Sequence, residues 1–441
     1  MSAERPHRTA AVLAIGDELI LGQKTDTNSA WISDRLTSHG VRVVEHVTVA
    51  DDMPRLVATM QRLCGGVDLL VMTGGLGPTA DDLTREGLAA AMGEPLVEDA
   101  AALAQIETWF KGRGRAMPEP NRVQALRPAS ARCLENPNGT APGLAGSLKI
   151  DGNACDVFCL PGPPNEMTPM FEAFVTPAIR AREGAVVATR AIHTFGLGES
   201  DIAARLGPLM NRDRNPLVGT TASLGVVTCR LRFEGDASEV EATEALDKTE
   251  RVIRGRLGDV IFAIGGEQGE ALARAVIDRL RARGERLVLV ESCTGGLLGQ
   301  TITRIPGSSD VLLGGWITYS NEMKSATVGV RKETLDLVGA VSREVAVEMA
   351  EGGLAASVAA GGAQHALAIT GVAGPGGGSD GKPVGTVWIA RASSGEATDV
   401  RRFRFRGGRD AVRRWSANTA LGMLRLQLDG VEMRLLGQTT G

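Results

Sequence analysis

Asp68-Leu-Leu-Val-Met-Thr-Gly-Gly-Leu-Gly-Pro-Thr79, followed by Asp81-Asp82, decides how the first part of this chain folds. The apolar run up to Met72 reads as a buried strand, and the glycines after it end the strand in a tight turn before a helix. Upstream, Ala10–Ile15 is a second buried strand. Asn28 to Leu36 has helical spacing, with Trp31, Ile32 and Leu36 on one face. Val41–Val49 alternates like a strand, and Pro54–Leu63 carries Leu56, Met60 and Leu63 in helical step. This β-α-β-α-β order predicts a mostly parallel sheet with ligands at the strand C-termini.

Residues 186–264 change texture. A helix start at Ser200-Asp201, a strand over Gly225–Phe233, a helix over Ser238–Leu257 and a strand over Asp259–Ala263 predict a small antiparallel α+β domain, with Gly265-Gly266 as linker. Residues 268–430 return to α/β. Glu270–Arg283 is an amphipathic helix closed by Gly284. Leu287–Val290 is a strand that delivers Glu291-Ser292 into a glycine turn. Leu297–Ile305 is helical, Val311–Tyr319 is strand, and a helix begins at the capping residue Ser342. Ala366–Thr370, Val384–Ala390 and Val400–Phe405 are strands before a last helix through Val412, Trp415, Thr419, Met423 and Leu426. The expected boundaries are 1–184, 185–266 and 267–441, in keeping with a length too great for one core.

Composition narrows the function classes. A net charge of −4 with no long basic run argues against nucleic acid as partner. Arg401-Arg-Phe-Arg-Phe-Arg406 reads as a strand with one solvated face rather than an RNA-binding face. The six cysteines form no Cys-x-x-Cys pair, which argues against structural zinc and for a reducing compartment. No apolar run approaches the ~18 residues of a membrane span, and the short one at Ala10–Ile15 turns acidic at once. A cytosolic protein is expected.

Two regions carry chemistry. In the first, Thr73, Gly74, Gly75, Gly77 and Thr79 form a loop whose backbone amides suit a phosphate, with Thr84 as a further hydroxyl. Asp81 and Asp82 can hold a divalent cation, and Asp17 and Glu18 leave the first strand at the same sheet edge. Read singly, these acids are helix-start residues. Asn138-Gly139-Thr140-Ala-Pro-Gly143 and Pro161-Gly162-Pro-Pro164, with Glu166, are turns whose value lies in convergence. In the second region, Glu291-Ser292-Cys293-Thr294-Gly295-Gly296, Pro306-Gly-Ser308-Ser309 and Tyr319-Ser-Asn-Glu-Met-Lys324 gather hydroxyls, the only tyrosine and an amine within a short span. No histidine lies between 194 and 364. A Ser/Lys/Tyr amide hydrolase is therefore the sharper hypothesis, since a desolvated lysine can take a serine proton. Each residue alone has a plain alternative: Ser292 as an N-cap, Ser308 and Ser309 as turn residues, Lys324 as a solvated lysine, Cys293 as a rival nucleophile. Gly376-Gly-Gly-Ser-Asp-Gly-Lys382 fits most of a phosphate-loop motif, but Pro383 offers no hydroxyl and a strand follows, so an ATPase loop is rejected. Gly371 to Gly378 remains an amide-rich loop suited to phosphate or a developing oxyanion.

Together these strings resemble the CinA family over nearly the whole chain. Residues 9–170 look like its MogA-like molybdopterin-binding domain, Phe195-Gly-Leu-Gly-Glu-Ser-Asp201 like its middle-domain signature, and residues 268–430 like its amidase domain. The resemblance implies hydrolysis of nicotinamide mononucleotide to nicotinic acid mononucleotide and ammonia, without a cofactor. It assigns the nucleophile to Ser309, with Tyr319 and Lys324 as partners. Ser292 matches a further serine, and Thr370 and Arg409 are weaker carry-overs. Thr294, Gly295, Gly371, Gly374 and Gly376 are expected around the substrate. For the N-terminal domain the resemblance implies hydrolysis of ADP-ribose to AMP and ribose 5-phosphate with magnesium, manganese or cobalt, aided by potassium. The rival reading there is a non-catalytic pterin- or nucleotide-binding module that regulates the amidase. A structural role in DNA uptake ranks last, for want of a basic face. A homodimer is expected.

Overall fold

The computed structural model describes residues 6–180 and 185–439. The chain divides into two compact units, Met1–Ala188 with Phe233–Thr243, and Thr189–Arg232 with Glu244–Gly441. Each is a mixed α/β structure.

The first unit holds a six-stranded sheet. Its strands are β1 (Thr9–Ile15), β2 (Arg42–Val49), β3 (Leu69–Thr73), β4 (Arg132–Leu134), β5 (Gly143–Ile150) and β6 (Asn153–Leu160), in the order β2-β1-β3-β6-β5-β4. The pairings from β2 to β6 are parallel, as the sequence pattern predicts. Strands β5 and β4 extend the sheet antiparallel. Helices cover both faces because alternate residues of the central strands are apolar on both sides. Ala11, Leu13, Leu70 and Met72 pack with Leu56, Met60 and Leu63 of α2 (Met53–Gly66). Ala10, Val12, Leu69 and Val71 pack with Ile32 and Leu36 of α1 (Asn28–Ser38). Each such leucine or isoleucine contributes about 1.5–3 kcal/mol by leaving water. The turn after β3 leads into α3 (Thr84–Met92).

Strands β7 (Ala185–Phe195), β8 (Leu217–Ser223), β9 (Val226–Asp236) and β10 (Ile261–Ile264), most of whose residues belong to the second unit, form a four-stranded sheet ordered β8-β9-β7-β10, and its β8–β9 and β10–β7 pairings are antiparallel. The larger sheet has β11 (Leu287–Glu291), β12 (Leu312–Ile317), β13 (His365–Gly371), β14 (Thr386–Ser393), β15 (Asp399–Arg404) and β16 (Gln438–Thr439), in the order β12-β11-β13-β14-β15-β16. Only β12, β11 and β13 run parallel. One face (Leu287, Leu289, Leu367, Ile369) meets α4 (Gln268–Arg283), α5 (Leu297–Thr303) and α6 (Arg409–Leu428). On the other, Ala366, Ala368, Ala390 and Ala392 pack with the helix Arg343–Ser357. Close approach there requires Gly353, whose added Cβ would sit 2.6 Å from Val290 Cγ2. Ser342 caps that helix, accepting from the Val345 amide. In the Arg/Phe stretch, Phe403 and Phe405 are buried and stacked while Arg404 is exposed, the one-sided strand expected from the alternation. No helix among the described residues is long and apolar enough to cross a membrane, and all six cysteines are free.

Candidate active sites

Parallel register brings the ends of β11, β12 and β13 to one edge, because Glu291 pairs with both Ile317 and Ile369. Ser292 follows β11, Thr318 to Lys324 follow β12, and Gly371 closes β13. The Lys324 side chain is 1% exposed, and its ammonium donates to Ser292 Oγ at 3.2 Å, Thr318 O at 2.9 Å and Tyr319 O at 3.4 Å. Burial away from water lowers its pKa below the ordinary 10.5, against smaller opposing influences from Cys293 and Glu322. No carboxylate forms an ion pair with it among the described residues. The result is a desolvated amine in contact with a serine hydroxyl, the pairing that activates serine nucleophiles.

The surrounding groups are placed by short connections. The Ser292 amide donates to Ile369 O at 3.0 Å, which fixes the start of the turn. The next two amides, of Cys293 and Thr294, donate to no other residue among those described. Arg413 of α6 grips Thr294 O at 2.7 and 3.1 Å. Arg409, at the start of α6, donates to the Tyr319 hydroxyl at 2.8 Å and to Gly374 O at 2.9 Å. Tyr319 is 60% exposed and rims the site. The Gly371–Gly378 loop thus joins the dyad through Arg409. The Cys293 thiol is pushed up to about 12, chiefly by burial, which removes it as a nucleophile near neutral pH.

Several expected site residues lie away from the lysine or are held by the protein's own groups. Ser309 is exposed and lies in a single turn before β12, whereas Lys324 follows that strand. Leu312 pairs with Leu287 at the start of β11, and Arg281 holds the turn by Gly307 O at 2.9 Å and Asp310 at 3.1 Å. The six-residue strand between them spans roughly 20 Å at about 3.3 Å per residue, so Ser309 and Lys324 of one chain occupy opposite sheet edges. Thr370 is 1% exposed and donates to Ala340 O at 2.8 Å, a packing role. Thr294 is buried with an unpartnered hydroxyl, Gly295 donates to Ser292 O at 3.1 Å, and Gly376 has open space around it. Lys382 of the phosphate-loop look-alike donates to Val338 O at 2.5 Å, and a strand follows, which agrees with the rejection.

In the first unit, the parallel strand ends open into a cavity of about 350 Å³. Its lining includes Gly74, Gly75, Gly77, Thr140, Gly162, Glu18, Asp51, Asp81 and Glu166. Gly74 and Gly75 have φ of 104° and 64°, and a Cβ on Gly74 would lie 2.3 Å from Ile15 O. Only glycine allows that approach. Thr84 Oγ1 donates to Gly74 O at 2.8 Å. Thr73 is buried and donates to Pro161 O at 3.1 Å, which joins two loops. Asp82 lines the same cavity, and it shapes the loop by accepting from the Gly77 and Thr79 amides at 2.7 and 2.9 Å and from the Thr79 hydroxyl at 2.5 Å. Asp17 and Asp51 exchange amide-to-carboxylate bonds at 2.9 and 3.1 Å. Gly139 lies under the Glu166 carboxylate, where a Cβ would meet Oε2 at 2.1 Å.

Sequence reasoning missed three contributors. Asp51 leaves β2 at the same edge as Asp17, a position the parallel-sheet rule itself points to. Its carboxyl pKa is raised, first by burial and further by Asp17, Asp81 and Glu18, against the Asp17 amide bond. Asn28 donates to Thr73 at 3.0 Å and Gly162 O at 2.8 Å. Arg85 is 2% exposed and holds the glycine loop from beneath through Leu76 O at 3.2 Å and Gly77 O. A buried arginine inside a helix carries no sequence signal. Hard oxygen donors suit magnesium or manganese, and the mutual repulsion felt at Asp51 suits a cation. No group of three or more acids, histidines or cysteines that could hold an ion occurs among the described residues, however. Glu18, Asp51, Asp81, Asp82 and Glu166 are the carboxylates that line the cavity.

Comparison with known proteins agrees with this architecture. Family models match in chain order: a probable molybdopterin binding domain over residues 11–181, a damage-inducible protein CinA KH domain over 189–263, and a CinA C-terminal domain over 269–428. A putative competence-damage inducible protein of Symbiobacterium thermophilum is 42% identical over 96% of this chain and 99% of its own length. A CinA-like protein of Anaeromyxobacter is 41% identical over 95% of this chain and 98% of its own. The crystal structure of competence/damage inducible protein CihA from Agrobacterium tumefaciens is 40% identical over 37% of this chain and 97% of that one, with a TM-score of 0.35. With its three matched domains and full-length relatives, the chain belongs to the CinA family of competence-damage inducible proteins.

Proposed function

We propose that the second unit is an amidase that hydrolyses the carboxamide of nicotinamide mononucleotide, with Ser292 as nucleophile and Lys324 as its base. The observation that carries this reading is the 3.2 Å contact between a serine hydroxyl and a lysine that burial pushes toward its neutral form. Ser292 Oγ attacks the amide carbon while its proton passes to Lys324 Nζ. The carbonyl oxygen becomes an oxyanion, for which the amides of Cys293 and Thr294 are available. Lys324 returns the proton to nitrogen, ammonia leaves, and an ester remains on Ser292. Water, deprotonated by Lys324, attacks that ester, gives the nicotinic acid product and restores Ser292. Arg409 and the Gly371–Gly378 loop supply a cation and amides suited to the 5′-phosphate. The test is ammonia release from nicotinamide mononucleotide by the full-length protein; a folded parent that releases none contradicts the assignment.

For the first unit, hydrolysis of ADP-ribose to AMP and ribose 5-phosphate is supported by the glycine-lined cavity with Glu18, Asp51 and Asp81 on its wall. A bound divalent cation would neutralise phosphate charge and activate water there. The chain's own part is to seat the diphosphate against the Gly75 and Leu76 amides, those of Gly74 and Gly77 being taken by Leu160 O and Asp82, and to hold Asp51 beside Asp17. The rival reading is a binding-only module; among the described residues no group of three metal-ligating side chains occurs. AMP release with magnesium, manganese or cobalt separates the two: binding without AMP supports the regulatory module.

A further inference from the structure

Glu291 is the last residue of β11, 3% exposed, and absent from the ion pairs of the described residues. An uncompensated buried carboxylate is costly. Here it is compensated by amides: Oε2 accepts from Gly296 at 3.0 Å and Leu298 at 3.1 Å, and Oε1 accepts from Gly299 at 2.8 Å. These are charge-assisted bonds at the start of α5, where the helix also favours negative charge. A seven-residue helix needs only a local serine or aspartate as cap, yet its N-cap is Gly296, which has no side chain to offer. The capping carboxylate comes instead from before the turn, so it closes Ser292–Gly295 between two fixed ends.

The amide ledger of that turn shows what this does. Ser292 donates to Ile369 O, Gly295 to Ser292 O, and Leu297 to Thr294 O. Gly296, Leu298 and Gly299 donate to Glu291. Among the described residues the Cys293 and Thr294 amides, the two that follow the proposed nucleophile, donate to no other residue, the Cys293 amide having only its own thiol beside it. The Glu291 carbonyl also accepts the Thr318 amide at 2.7 Å, and Thr318 O accepts Lys324 Nζ at 2.9 Å. One residue thus ties both the serine turn and the lysine-bearing segment.

We infer that Glu291 is a positioning residue of the amidase site, holding the Ser292 turn so that the Cys293 and Thr294 amides stay available for the oxyanion. This rests on the Ser292–Lys324 reading and deepens it. The test uses Glu291→Gln, isosteric and still able to accept at one oxygen, and Glu291→Ala, which accepts at neither. With nicotinamide mononucleotide as substrate, kcat falls in a graded series, about 10-fold and then about 100-fold or more, the scale of losing an oxyanion donor. KM stays within about threefold, and the pH midpoint of the rate is unchanged because Lys324 is untouched. In parallel, alkylation of Cys293 by N-ethylmaleimide, located by mass spectrometry on the folded proteins, speeds up in both variants as the turn loosens. Parental kcat in Glu291→Ala, or a rise in KM with kcat preserved, overturns the inference. Should the parent itself not hydrolyse the substrate, the amidase reading fails separately. The alkylation rate then decides: an unchanged rate in both variants overturns the positioning role, and a faster one supports it.

Discussion

Replacing Lys324 with methionine removes the amine but keeps most of the side-chain volume. In the parent, Ser292 Oγ has Lys324 Nζ as its side-chain partner at 3.2 Å. His365 is committed elsewhere, to Ser393 at 2.8 Å and Glu285 at 3.0 Å, and it sits at the start of β13, the far edge of the sheet. His365 is thereby excluded as a substitute base, so the variant is expected to lose the contribution of general-base catalysis, about 10²–10⁴ in rate. A 10³-fold loss corresponds to about 4 kcal/mol of transition-state stabilisation. The loss belongs in kcat, because Lys324 is buried behind the serine. Lys324→Arg is expected to be equally inactive, since a guanidinium does not deprotonate at working pH. The assay is ammonia release from nicotinamide mononucleotide at saturating substrate, with thermal unfolding as the folding control. A folded Lys324→Met enzyme within a few-fold of parental kcat refutes the dyad.

Further outcomes follow from the same geometry. The parental rate rises with pH on its acid side, with a midpoint below 10.5, because the working form of Lys324 is neutral and burial lowers its pKa. Stability shifts the same way: a lysine depressed in the folded state takes up a proton on unfolding, so stability climbs with pH from the folded pKa toward 10.5. The stability of Lys324→Met relative to parent, read by urea unfolding, therefore declines across that window. Gly422→Ala would place a Cβ 2.0 Å from the Phe195 ring, an overpacking expected to cost about 1–3 kcal/mol and lower Tm. Asp82→Ala frees the Gly77 and Thr79 amides and is expected to cost about 1–2 kcal/mol, like loss of a helix cap. Asp51→Asn is expected to lower metal-dependent AMP release from ADP-ribose at least tenfold while leaving ammonia release unchanged.

The parallel cores were legible because residues such as Val12, Leu70, Leu289 and Leu367 lie in short apolar runs separated by helical periods. The edge additions were less so. Asp151-Gly152, with φ of 49° and 82°, forms the tight turn that folds β6 back on β5. That Asp-Gly pair is a known hairpin signal, but the strands beside it hold glycine, serine and lysine and lack a clear pattern. The candidate residues were legible by type and not by place. Ser309 and Lys324 are close in sequence, yet a strand lies between them, and a strand carries its two ends apart. Ser292 and Lys324 are farther apart in sequence and meet because parallel β11 and β12 end at the same edge. Glu291 stood at the head of a motif without a legible role, and Arg85 was not singled out, since the partners of both are backbone atoms that any sequence supplies.

The central claim is tested most directly by ammonia release from nicotinamide mononucleotide measured side by side for the parent, Ser292→Ala and Ser309→Ala, each shown to be folded. The account predicts a loss on the order of 10³-fold or more in Ser292→Ala and activity within a few-fold of the parent in Ser309→Ala. An active Ser292→Ala, or a Ser309→Ala enzyme as inactive as the nucleophile variant is expected to be, would contradict a dyad built within one chain.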